Sequence, residues 1–128
     1  MKKAIIIILS ILGVLVLVGA GGVFYITNGL EAGENLAINP VDLKGIEDGT
    51  YTGVYKAGRW SNEVAVSVAD HQISNIAVVK TVTMEKPEVT DALIHAVIEK
   101  QNTTVDTISG ATVSSKAYLK SIENALSQ

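Results

Sequence analysis

The sequence predicts an α+β fold: a small antiparallel β-meander covered by two helices and preceded by one N-terminal transmembrane helix. Three observations predict it. Residues Ala4 to Ile26 contain no charge. Between Gly49 and Thr83 three runs rich in β-branched residues follow one another across connections too short to join parallel strands. After Pro87, and again after Thr112, apolar residues recur at three- and four-residue steps.

The uncharged run reaches about 35 Å at ~1.5 Å per helical residue, enough for a hydrocarbon layer of ~30 Å. Lys2 and Lys3 precede it, and Glu31 and Glu34 follow it. That asymmetry predicts a cytoplasmic N-terminus and an extracytoplasmic domain. Val18-Gly19-Ala20 would serve as a signal-peptidase site, but the apolar character continues through Val23, Phe24, Tyr25 and Ile26. The sequence therefore favours an uncut anchor over residues 1–26. Residues 27–46 lose periodicity and mix Gly29, Gly33, Asn35, Asn39 and Pro40 with scattered acids, the pattern of a solvated tether. The folded domain is placed at 47–128.

Within it, Gly49 to Tyr55 reads as a strand. A turn follows at Ala57 to Ser61, and Val64, Val66 and Val68 then alternate with Ala65, Ser67 and Ala69 as a half-buried strand. Asp70-His71-Gln72 is a turn, and Ile73 to Thr83 a third strand. Pro87 suits the first turn of a helix, whose inner side carries Val89, Leu93, Ala96 and Val97 and which Asn102 can end. Val105 and Ile108 form an extended approach to the last helix, on which Ala117, Tyr118, Leu119, Ile122, Ala125 and Leu126 share a face.

Composition narrows the function. The formal charge is −3, and without Lys2 and Lys3 thirteen acids face eight bases, so a nucleic-acid partner is not expected. The chain has no cysteine, which excludes a disulfide frame, a thiolate metal site and a redox thiol. His71 and His95 have no third ligand in view and read as surface residues.

The stretch from Asp106 to Ser115, Asp-Thr-Ile-Ser-Gly-Ala-Thr-Val-Ser-Ser, is the candidate site. Its small residues allow close backbone approach, and Gly110 can adopt positive φ. Thr112 or Ser114 is expected to cap the helix that follows, and the amides of its first turn would favour an anion near Thr112. A nucleotide P-loop is excluded, because Ser115 stands for its second glycine and Ala117 for its metal-binding hydroxyl.

The run Asp-x-x-Ser-Gly-Ala-Thr-x-Ser, with Asp-Gly-Thr-Tyr-Thr-Gly at Asp48 to Gly53, resembles the FMN-binding domain family. In that family the threonine after Gly-Ala carries FMN through a phosphoester bond. The resemblance implies covalent FMN on Thr112, attached by a flavin transferase that takes FAD, uses a divalent metal and releases AMP. The backbone amides of Val113, Ser114 and Ser115, next to Gly110 and Ala111, would hold the phosphate, with Ser109 and Ser115 as hydroxyl donors; Lys116 reads either as a counter-charge or as a solvated residue, and Asp106 as part of the recognition pattern and a turn-former. Trp60 is a candidate to stack on the flavin ring or to pack over the sheet edge. Met84 lies in Thr83 to Pro87, where relatives often carry a His-x-Glu-Thr-Pro-Gly-like run that walls the flavin; only Pro87 and Glu85 compare. The function so implied is electron relay from a membrane donor, such as a quinone-linked or NADH-linked dehydrogenase, to a surface acceptor. A flavin-free binding or sensory module of the same fold, and a subunit of a larger ion-translocating oxidoreductase, are the alternatives.

Overall fold

The computed structural model describes all residues except 28, 29, 31, 32, 34, 109 and 128. The apolar run forms helix α1, Lys2–Thr27, with none of its residues buried and a mean hydropathy of 2.9 over its most apolar window. It is long and apolar enough to cross a membrane. Its hydroxyls do not conflict with that, since Ser10 donates to the Ile6 carbonyl and Thr27 to that of Val23.

Three strands follow, β1 (Gly49–Tyr55), β2 (Asn62–Ala69) and β3 (Gln72–Lys80), paired antiparallel in the order β1-β2-β3. Register places Tyr51, Gly53 and Tyr55 beside Val66, Val64 and Asn62 on one face. Val64, Val66 and Val78, Ile76 continue that face onto β3. Helices α2 (Pro87–Lys100) and α3 (Thr112–Leu126) lie on it. Val64, Val66, Leu93, Val97, Leu119 and Ile122 fill the space between the layers.

Helix α3 crosses β1 at Gly53 so closely that a Cβ there would overlap the Ser121 carbonyl oxygen and lie 2.6 Å from the Ala125 nitrogen. Only glycine fits. Beside this crossing the buried Ser121 hydroxyl donates to Asn62 Oδ1 at 2.6 Å, which fixes the helix along the sheet.

Three expectations need correction. The third strand stops at Lys80 rather than Thr83, because Val82 turns into the core and gives its amide to the Tyr118 hydroxyl while Thr83 gives its own to the Arg59 carbonyl. Helix α2, expected to run to about Gln101 and to be ended by Asn102, has Lys100 as its last residue and Gln101 as its cap. Gln101 is left-handed at φ 58°, and its side-chain amide pairs with both the amide and the carbonyl of Ile73 on the β3 edge.

The third correction concerns the tether, which is a strap. Leu30, Ile38, Val41, Leu43 and Ile46 pack against the core. The Asn39 amide donates to Glu123 Oε1 at 2.5 Å, and the Thr103 hydroxyl donates to the Asn39 carbonyl at 2.7 Å. Asn102 exchanges two hydrogen bonds with the Val41 backbone, and Lys120 reaches the Ala37 carbonyl. Glycine and asparagine imply a free coil by composition, but here the Asn39 backbone is hydrogen-bonded at both its amide and its carbonyl, and the sparse apolar residues find a core.

Candidate functional site

The site is built where α3 begins. Gly110 takes φ +80° with nothing near its missing side chain, so the chain reverses there at no steric cost. The Ala111 amide donates to the Ile108 carbonyl, and the Ile108 amide donates to the Ser115 hydroxyl at 3.1 Å. Ser115 is fully buried. Its hydroxyl closes the turn from inside and does not face an incoming phosphate, which corrects that expected role.

The cap also differs from expectation. It is Ala111, without a side-chain hydrogen bond, and Thr112 is the first helical residue. The helical ladder starts with the Ser115 amide on the Ala111 carbonyl. The amides of Thr112, Val113 and Ser114 therefore precede the ladder, and the positive end of the helix stands open toward an external acceptor. Alanine is among the weakest N-caps. Thr112 is exposed, Ser114 half-buried and Val113 buried in the core.

Two adjoining clefts flank this turn. One, of about 290 Å³, is lined by Leu30, Arg59, Trp60 and the residues Gly110 to Ser114, so Thr112 belongs to it. The other, of about 270 Å³, shares Arg59, Gly110, Ala111 and Ser114, and is walled by Val82, Met84, Val89, Thr90 and Tyr118, with Lys86 at its margin. Each is near the lower end of the ~300–1,000 Å³ range of small-molecule pockets.

Arg59 stands between them. Its guanidinium lies 4.2 Å from the Trp60 ring centroid, and its carbonyl accepts from Thr83, tying the Gly58–Trp60 turn to the segment that carries Met84. Among the described residues the ion pairs are His95 with Glu99 and Lys120 with Glu123, so Arg59 and Lys86 line the clefts without being held in an ion pair. Trp60 is 2 % exposed and has one face under Arg59. It packs in the core beneath the cleft, and the side chain offered above it is arginine.

Tyr118 is buried, and its hydroxyl accepts the Val82 amide at 3.1 Å. Burial pushes the phenol above its ordinary value, and nearby Glu85 pushes the same way, while hydrogen bonds from Val82 and with Thr90 oppose the shift. The phenol is neutral at physiological pH. With Thr90 it sets hydroxyl groups beside the apolar Val82, Met84 and Val89 of the second cleft.

Met84, 65 % exposed and at φ 61°, does line that cleft. Asp106 is elsewhere, exposed beside a shallow depression with Ala96, Glu99, Lys100 and Val105. Lys116 is half-buried and lines neither cleft. Ser109 lies outside the described residues. The histidines are apart from the site: His71 has Nδ1 at 3.2 Å from the Leu43 and Ile46 carbonyls, and His95 is exposed on α2. Arg59, Tyr118, Thr90, Val82 and Leu30 were not site candidates by sequence. Tyr118 reads there as one more core position on α3, and only the fold brings its hydroxyl to the cleft.

An exposed hydroxyl on the first turn of an uncapped helix, next to a cation and two clefts, defines a domain suited to hold a phosphorylated small molecule. A family model for the FMN-binding domain matches residues 58–127, more than half of the chain. The chain belongs to this family and is a flavin-binding protein. The match takes in both clefts apart from Leu30. No match was found among curated proteins.

Proposed function

We propose that the protein is a membrane-anchored, extracytoplasmic electron carrier that holds FMN covalently on Thr112 through a phosphoester bond. The single observation that carries this reading is the Thr112 hydroxyl itself, exposed at the first position of α3 within the family motif. A buried threonine would have ended it.

The residues present fit the group. The Thr112, Val113 and Ser114 amides and the dipole of α3 favour the phosphodiester charge, and Arg59 adds a fixed cation beside it. The apolar walls Val82, Met84 and Val89 suit a flat ring in the second cleft, with the Tyr118 and Thr90 hydroxyls as polar contacts. Ser115 holds the turn while leaving Thr112 accessible to a transferase. Flavin, when bound, supplies transfer of one or two electrons.

Anchoring rests on α1, and the lysines ahead of it support an extracytoplasmic domain. Covalent attachment suits that location, where a dissociating cofactor would be lost by dilution. Donor and acceptor are read as a membrane dehydrogenase and a surface oxidant. Intact-mass measurement after coexpression with a flavin transferase tests the reading: the wild type gains the mass of an FMN ester and Thr112→Ala does not. A wild type recovered without added mass overturns it.

A further inference from the structure

We infer that the domain is docked on the end of α1 with its Thr112 face held against the lipid headgroup layer, so that the clefts open at the bilayer interface rather than on a free-floating head. The inference rests on the reading of α1 as a retained anchor. It does not rest on the flavin.

The first support is the strap. From Ala37 onward the segment is bonded to α3 and to the loop after α2 through Glu123, Lys120, Asn102 and Thr103. Only nine residues separate Thr27, the last of α1, from Ala37, a reach of at most ~35 Å even if fully extended. Contacts shorten it further. Gly33 lies against Val113 so tightly that a Cβ would come 2.5 Å from its Cγ1, and Leu30 lines the Thr112 cleft.

The second support is direct. Arg59 Nε donates to the Ile26 carbonyl at 3.3 Å, so the guanidinium caps the negative end of α1. The same side chain lines both clefts. Helix end and cleft are therefore separated by one arginine. Because α1 spans about the hydrocarbon thickness, Ile26 falls at the interface, and the cleft falls there with it.

The third support is the chemistry of that face. Arg59, Lys86 and the 65 % exposed Met84 line the cleft, a combination of cations that meet headgroup phosphates and an apolar side chain that enters the layer beside them. The β2–β3 turn is at the opposite end of the strands from Trp60, roughly 25 Å away at ~3.3 Å per residue.

The absence of cysteine permits a clean test. Thr112→Cys and, as the distal control, exposed Gln72→Cys each carry one fluorophore in the full chain, reconstituted in bilayer nanodiscs containing anionic and headgroup spin-labelled lipid. Quenching several-fold stronger at 112 than at 72 is expected. A Gly/Ser insertion of about twelve residues after Thr27, with a root-mean-square reach of ~20 Å, should remove most of that difference, and Arg59→Gln should reduce it. Equal quenching at the two sites, or a difference that survives the insertion unchanged, overturns the inference while leaving the flavin reading intact. Mass analysis of the native membrane protein is the separate arm: loss of residues 1–20 would remove the anchor and the inference with it, and retention supports both.

Discussion

Gly53→Ala should weaken the whole domain, because the added methyl has no place to go. Its Cβ would overlap the Ser121 carbonyl and lie 2.6 Å from the Ala125 nitrogen and 2.8 Å from its Cβ. Two of those three atoms are helix backbone, so no rotamer change relieves them. Helix α3 must retreat from β1 by roughly an ångström, and overpacking of this kind costs ~1–3 kcal/mol. The retreat also opens a gap along the Val64 and Ile122 layer, where ~0.5–1 Å forfeits a quarter to a half of each dispersion contact.

Against this, alanine restricts the unfolded chain and returns ~0.4–1 kcal/mol, a gain that applies because Gly53 is not at positive φ. The steric and dispersion losses outweigh this gain, leaving a net loss of roughly 1–2 kcal/mol. For a domain of about a hundred residues each kcal/mol moves the midpoint by ~4–8 °C, so Tm should fall by roughly 5–15 °C. Trp60, buried and the only tryptophan, reports the transition by fluorescence in detergent-solubilised full chain. A midpoint within about 2 °C of wild type would refute the close crossing of α3 over β1.

Ser115→Ala removes the acceptor of the half-buried Ile108 amide and should cost about 1 kcal/mol; slower acquisition of FMN mass during coexpression would accompany the lower Tm. Tyr118→Phe strands the Val82 amide in the same way and should cost a similar ~1–3 kcal/mol in denaturant titration. Because the folded phenol is raised above its ordinary 10.0, the native state binds its proton more tightly. Its contribution is complete below about pH 10 and is lost as pH rises through the higher folded value, so the wild-type stability curve should fall more steeply above pH 10 than that of Tyr118→Phe. Arg59→Gln uncovers one face of Trp60 and should increase its quenching by acrylamide; unchanged quenching would show that the guanidinium does not cover the ring.

How much was legible follows the range of the interaction. Val64, Val66 and Val68 announce a half-buried strand because side chains alternate with period two, and β2 is found there. Pro87 marks the start of α2 because its ring excludes an earlier helical residue. Ser-Gly-Ala-Thr marks its own turn. By contrast, the N-cap was misassigned: Thr112 and Ser114 have capping side chains, but Ser115, seven residues from Ile108, closes the turn instead and shifts the helix start. Local propensity cannot weigh a bond made through the buried side of a loop.

The same holds for the two ends of the domain. Residues 36–46 look like coil because no periodic face is present, yet Asn39 and Val41 are bonded to residues more than sixty positions away. Sequence by itself determined the apolar span, the strand order, the two covering helices and the Ser-Gly-Ala-Thr motif of the family, since each is written in composition or in neighbours a few residues apart. Tertiary structure alone decided that Arg59, Tyr118 and Thr90 share a cleft, that Trp60 is covered, that the strap lies along the core, and that Arg59 meets the end of α1. Those depend on which distant surfaces meet when the core closes, and burial energy is a property of the assembled layers rather than of any segment.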